Sequence, residues 1–348
     1  MAELKELLRK LAEAHALSGY ENEVRVIVEE ELEDYADEIS IDKLGNLIAT
    51  HHGKKPSVML AAHLDEIGLM VKHINDEGFI TFSPIGGWFD QSLLNQRVIL
   101  QARGGGLYGV IGSKPPHGMK QEEREKVIKL EDMFIDVGAR TRDEVEQMGI
   151  SVGTPVILDR HLADLGNERV TCKAFDNRAG VAVMIEALKR TTTDCEVYAV
   201  GTVQEEVGLK GARTSAYALT PDVALAIDVE VAGGHPGIEK KDRPVELGKG
   251  PVITVSDASG RGIITPPAVL NWLKETAAQY TIAYQLSVAD GGNTDASVIH
   301  LTKCGIPTGI VSIPTRYIHS PVELLSLQDL TNCADLIARA LERVVDYF

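Results

Sequence analysis

Two hydrophobic rhythms alternate along this chain. Leu4, Leu7, Leu8 and Leu11 recur at helical spacing and predict an amphipathic helix over residues 4–17. Ser18 followed three residues later by Glu21 has the spacing of a capping box, which predicts a second helix running to about Asp37. The run "SVMLAAHLDEIGLMV" (57–71) is apolar without alternation, as expected of a strand covered on both faces. Strand-like runs at 196–203, 222–228 and 308–313 then alternate with helix-like runs at 177–190, 207–219, 266–279, 294–304 and 326–345. Such alternation predicts an α/β three-layer sandwich with a mostly parallel central sheet.

The rhythm changes between residues 70 and 163. Short β-like runs ("FITFSPIGGW", "RVILQARGGGLYGVIGS", "MFIDVG") are broken by Gly and Pro, with one helical pattern near 141–149. This predicts a small β-rich, barrel-like domain at 70–163 inserted into a main domain made of 1–69 and 164–348. Within it "ARGGGLYG" reads as a hairpin turn, and "KPPHGMKQEEREKVIKLED" as a polar surface loop.

Composition narrows the classes. The chain has 348 residues, 44% hydrophobic and 25% charged, the profile of a globular protein with ample chain for a core. A formal charge of -16 argues against nucleic acid and anionic lipid as partners. No apolar run approaches a membrane span, and the N-terminus lacks a signal-peptide core, so a cytoplasmic protein is expected. Cys172, Cys195, Cys304 and Cys333 are scattered without CxxC spacing and read as free thiols rather than disulfides or zinc–thiolate ligands.

Candidate chemistry sits where strands end, the edge at which α/β sheets build their sites. His63 and Asp65 follow one apolar run; Glu205 and Glu206 follow "VYAVGTVQ"; Asp228 ends "VALAID"; and "GIVSIPTRYIHS" leads to His319. Asp176 in "TCKAFDNRAG" lies at the turn entering a helix. Each has a plainer reading. Asp176 could be an N-cap, the glutamate pair could be helix-start acids, and Asp228 a strand-end polar residue. Their convergence on His and carboxylate alone points to metal. Asp176, Glu206 and Asp228 with neutral His63 and His319 carry three negative charges; two divalent cations and one hydroxide bring the sum to zero, which eases burial. The donor set suits zinc, cobalt or manganese. Neighbouring residues leaving a strand diverge, so if Glu206 is a ligand, Glu205 is free to act as general base toward water. Asp65 is spaced to orient the ring of His63.

Six segments, "AAHLDEIGLMV", "KAFDNRAG", "VQEEVGLKGARTSA", "AIDVEVAGGHPG", "GGNTDA" and "PTRYIHSPVE", closely resemble the tetrahedral (TET) aminopeptidases, family forty-two of the metallopeptidases, in the family's order and nearly end to end. The resemblance implies that His63 and Asp228 hold one metal, Glu206 and His319 the other, and Asp176 bridges them, with Glu205 as catalytic base and Asp65 as orienting acid. It implies two divalent ions per subunit, zinc or cobalt foremost. It also implies peptide substrates with a free N-terminus, a dimerisation role for 70–163, and twelve subunits in a hollow tetrahedron. A cis peptide at Asp176–Asn177 is a further implication, although Asn177 stands where many relatives carry a second aspartate. Two rival hydrolases stay open here, a metal-dependent deacylase of N-acyl amino acids and a glycosidase. Neutral apolar first residues are the expected preference. Tyr317 reads as packing, and His117, His235 and the "GGNTDA" loop as candidate substrate contacts.

Overall fold

Four strands lie side by side and parallel in the order Cys195–Thr202, Lys54–His63, Val223–Val231 and Thr308–Arg316. They are the apolar runs of the sequence, and their residues are buried on both faces because helices cover each side. Ala2–Glu13, Asn22–Leu32, Phe175–Arg190, Pro267–Gln279 and Leu327–Arg343 pack one face through a core containing Leu8, Leu11, Phe175, Trp272 and Leu341. Lys210–Leu219 and the single turn Ala296–Ile299 cover the other, around Met59, Ala212 and Ile299. The computed structural model describes residues 1–348, apart from the side chains of Pro116 and Glu123.

The sheet has eleven strands and is mixed. Its central four strands are parallel, flanked by Leu47–His51 and Glu38–Ile41 on one side and Glu323–Ser326, Arg169–Cys172 and Ala163–Leu165 on the other, all joined antiparallel. Val252–Ser256 branches antiparallel from Thr308–Arg316 and pairs parallel with Gln285–Val288. The strands Gly68–Ile74, Ile80–Ile85, Phe134–Asp136, Gly105–Gly112, Arg97–Ala102 and Pro155–Leu158 close, in that order, into an antiparallel barrel. It has its own core of Leu69, Phe82, Leu100, Ile135 and Val156.

Three local expectations are corrected. The run 57–71 is two strands, because Leu64–Ile67 leaves the sheet for the barrel and buries Asp65 and Glu66 at the crossing. Ser18 and Glu21 form no capping box: the helix begins at Asn22 without a side-chain cap. Ser18 Oγ instead donates to Asp65 Oδ2 (2.6 Å), and Glu21 Oε1 accepts from Gly19 N (2.6 Å) and Gln204 N (3.2 Å). The predicted helix 294–304 is one turn, after which Lys303 (φ 52°) and Gly305 (φ 100°) turn left-handed toward the next strand.

Candidate metal centre

The carboxyl ends of the four parallel strands open on a cavity of about 400 Å³. His63, Asp176, Glu205, Glu206, Asp228 and His319 meet along its wall. His63 ends its strand, and Asp228 lies near the end of the next strand. Glu205 and Glu206 lie just past Thr202, in the loop before a helix. His319 sits in the loop after Arg316, and Asp176 at a kinked helix start, where the Asp176–Asn177 peptide is cis.

Asp176 presents one oxygen to each imidazole. Its Oδ1 is 3.1 Å from His63 Nε2, and its Oδ2 is 3.4 Å from His319 Nε2. Asp228 Oδ1 (3.9 Å) and Glu205 Oε2 (3.8 Å) also approach His63, whereas Glu206 Oε1 lies 3.2 Å from His319 Nε2. The adjacent glutamates therefore serve different rings. Donor atoms of His63, Asp176 and Asp228 fall within 4.8 Å of one another, as do those of Asp176, Glu206 and His319, and those of His63, Glu205 and Glu206.

This donor set fits divalent cations. Four carboxylates share one cavity wall with two imidazoles, and the only ring nitrogen near the buried Glu206 Oε1 is that of His319, 3.2 Å away and outside hydrogen-bond geometry. Burial raises Glu205 and Asp228 well above the usual carboxylate range; the neighbouring acids add to the rise, while His63 opposes it. Burial disfavours charge on His63 and His319, yet the surrounding acids overcome it, lifting His63 well above its ordinary value and His319 to about 11.

A ring of further buried acids sets this geometry, and sequence patterning does not single out most of them. Asp65 accepts from the backbone N–H of Glu205 (3.0 Å) and Glu206 (3.2 Å), while His63 Nδ1 lies 3.2 Å from the Asp65 carbonyl and 3.5 Å from its carboxylate. Glu323 accepts from Asp176 N (2.8 Å) and His319 N (2.9 Å) and so ties two ends of the cluster together. Asp295, fully within the protein, takes a hydrogen bond from Thr202 Oγ1 (2.5 Å) and leaves Oδ1 unpartnered. Non-glycine residues with left-handed backbone cluster at the same loops: Ala174, Gln204, Tyr317 and His319, with φ of 56–60°. Such conformations cost about 1–3 kcal/mol each and persist where surroundings over-determine them; here Glu21, Asp65 and Glu323 hold the amides. Gly86 and Gly87, from the loop after a barrel strand, approach Glu206 and His319, and a Cβ at Gly87 would stand 3.2 Å from His319 Nδ1.

Gly291–Thr294 of the "GGNTDA" loop line the cavity, whereas His235 and His117 are not among its lining residues. Tyr317 is 45% exposed with its ring 5.5 Å from that of His235, so it packs only on the surface.

The model of the M42 glutamyl aminopeptidase family matches residues 45–336. The chain is 38% identical over 344 residues to the lysyl aminopeptidase of Pyrococcus furiosus, covering 97% of both chains. An aminopeptidase from the archaeon Desulfurococcus kamchatkensis superposes with a TM-score of 0.94 at 47% identity, over 98% of this chain and 95% of that one. The TET1 peptidase of Pyrococcus horikoshii, described as able to assemble into a tetrahedron or a large octahedral shell, superposes with a TM-score of 0.88 at 34% identity, over 97% and 98%. Among the described residues no helix is long and apolar enough to cross a membrane.

Proposed function

This chain belongs to the M42 family and is a metal-dependent aminopeptidase, and from that premise we propose how its residues divide the work. His63 and Asp228 would hold one divalent cation, Glu206 and His319 a second, and Asp176 both. The observation that carries this reading is Asp176 turning one oxygen toward each imidazole. Bound cations supply Lewis acidity, acidifying water and polarising the scissile carbonyl. Glu205 is the carboxylate beside His63 left outside that set of ligands. With its carboxylate 3.8 Å from His63 Nε2, it takes the proton of the attacking water and returns it to the departing amine. Asp65 keeps Glu205 and Glu206 apart by holding both of their amides, and steadies His63. Zinc or cobalt suits the nitrogen and oxygen donors, with manganese also compatible.

The test is Glu205→Gln. Metal content should stay at the wild-type level while kcat for leucine p-nitroanilide falls by about 10²–10⁴-fold. Retained turnover would overturn the assignment of the base. EDTA should abolish wild-type activity, and N-acetyl-leucine should be inert, since a free amine is required; turnover of the acylated compound would favour a deacylase.

We further propose that residues 70–163 mediate dimerisation and that dimers build a tetrahedral dodecamer, supported by the barrel's separate core and by the assemblies described for the TET1 relative. A monomer by light scattering at micromolar protein would refute this. Free cysteines support a cytoplasmic setting. The relatives' names divide over the residue removed, glutamyl for the family and lysyl for the Pyrococcus furiosus enzyme, so the preference must come from the cavity of this chain.

A further inference from the structure

Consecutive amides lead from the strand Cys195–Thr202 into the loop that carries Glu205, and each is taken by a side chain from a distant part of the chain. Val203 N donates to Asn46 Oδ1 (3.0 Å), Gln204 N to Glu21 Oε1 (3.2 Å), Glu205 N to Asp65 Oδ1 (3.0 Å) and Glu206 N to Asp65 Oδ2 (3.2 Å). Asp65 grips two neighbouring amides with one carboxylate, so it fixes the place of the glutamate pair. How the pair is turned against the strand depends on the residue before it. Gln204 is left-handed (φ 56°), a conformation unfavourable for a non-glycine residue, which persists where the surroundings impose it.

Glu21 is an unusual group to hold that amide. It lies in the turn between the helices Ala2–Glu13 and Asn22–Leu32, is 3% exposed, and is not among the residues lining the cavity. Its Oε1 accepts from Gly19 N (2.6 Å) as well as from Gln204 N, so backbone amides rather than a cation fix it in place. Ser18, from the same turn, donates to Asp65 Oδ2 (2.6 Å). Burial raises the Glu21 carboxyl, and the nearby Asp65 adds to the rise against the pull of the amides. Burying a second carboxylate close to Asp65 works against folding. What Glu21 provides is geometric: it holds the Gln204 backbone, while the Gln204 side chain turns out to Lys210 Nζ (3.2 Å).

Resting on the aminopeptidase reading above, with Glu205 as its base, we propose that Glu21 is a positioning residue for the reaction: through the Gln204 amide it holds the left-handed turn that aims the Glu205 carboxylate at the attacking water. Glu21 acts through the backbone and touches neither substrate nor metal. Without its acceptor, Gln204 relaxes toward a right-handed backbone and swings Glu205 off line, while Asp65 keeps the Glu206 amide and with it the ligand. A displacement of about 1 Å at a catalytic group is enough to slow a reaction about 10²-fold.

The metal-loaded enzyme is assayed on whichever of the leucine, lysine and glutamate p-nitroanilides it cleaves best. Glu21→Ala should lower kcat by about 10–100-fold, with KM within about threefold of wild type and bound metal, by elemental analysis, at the wild-type level. Glu21→Gln keeps an oxygen for both amides and should hold kcat to within about threefold of wild type. The deciding measurement is the double variant. A residue that acts by aiming Glu205 has nothing to aim in Glu205→Gln, so adding Glu21→Ala there should lower kcat by less than about threefold. Losses that multiply in the double variant, a fall in bound metal, or Glu21→Gln as slow as Glu21→Ala would each overturn the proposal and leave Glu205 as the base. Wild-type turnover by Glu205→Gln alone would instead remove the base, and with it this role of Glu21; no turnover of any substrate by the wild-type chain removes the aminopeptidase reading itself. If Glu21→Ala does not fold, Glu21→Asp, whose carboxylate stops one methylene short of the Gln204 amide, takes its place in the same cycle.

Discussion

Glu66→Gln should unfold this protein more easily than any other single charge removal near the cavity. Glu66 is buried where the chain leaves the sheet, and its carboxylate receives Lys173 Nζ on both oxygens (2.9 and 2.8 Å) and Arg178 Nη2 at 3.2 Å. All three side chains are nearly sealed from water, with 4%, 4% and 0% exposure for Glu66, Lys173 and Arg178. Arg178 also reaches the carbonyls of Leu11 and Leu64, and Lys173 that of Ala14, so the network joins the N-terminal helix, the strand exit and the helix bearing Asp176. Glutamine keeps the shape and the bond from Ala16 N, but sets an amide N–H against a buried ammonium. Breaking a buried ion pair from one side costs about 3–5 kcal/mol, since the partner charge is left uncompensated. Urea unfolding followed by fluorescence of buried Trp272, at fixed protomer concentration, reads this loss directly. Glu66→Gln with Lys173→Met should be less destabilised than the sum of the singles by about 1.5 kcal/mol or more. A single-variant loss under about 1 kcal/mol, or additivity within about 0.5 kcal/mol, would refute the reasoning.

Two other outcomes follow from the same structure. Glu323→Gln removes one of the two acceptors that hold the amides of Asp176 and His319, so metal affinity should fall about 10–100-fold in a competition titration with a fluorescent chelator, as for other groups that orient metal ligands; unchanged affinity would deny Glu323 that role. Thiol labelling of the native protein should modify Cys304 alone, since it is exposed while Cys172, Cys195 and Cys333 are buried. Burial pushes the Cys172 thiol up to about 12, so it stays protonated and unreactive even when the pH is raised to about 9. Mass spectrometry showing early modification at Cys172 would contradict this.

Much of the scaffold could be read from residue order. The central strands of the sheet announce themselves as unbroken apolar runs, because burial on both faces leaves no polar position to break them. The His and carboxylate residues at their exits were legible for a related reason: polar groups at the ends of such strands stand out from their surroundings. Short-range signals fared worse where distant polar partners competed. Ser18 and Glu21 have capping-box spacing, yet Asp65 and the Gln204 amide claim their side chains. The marginal antiparallel strands were not resolved either, since at the sheet's borders short runs of four or so residues carry little period of their own.

Residue order alone determined which chemistry is on offer, imidazole and carboxylate at the ends of buried strands, because hydrophobic period and residue type are local properties. Tertiary structure alone decided how that chemistry is shared. It turned two oxygens of Asp176 toward two different rings and sent adjacent Glu205 and Glu206 to separate partners. Those outcomes depend on distances between residues far apart in the chain and on the exclusion of water around them. Neither exists until the sheet, its helices and the barrel loop have packed.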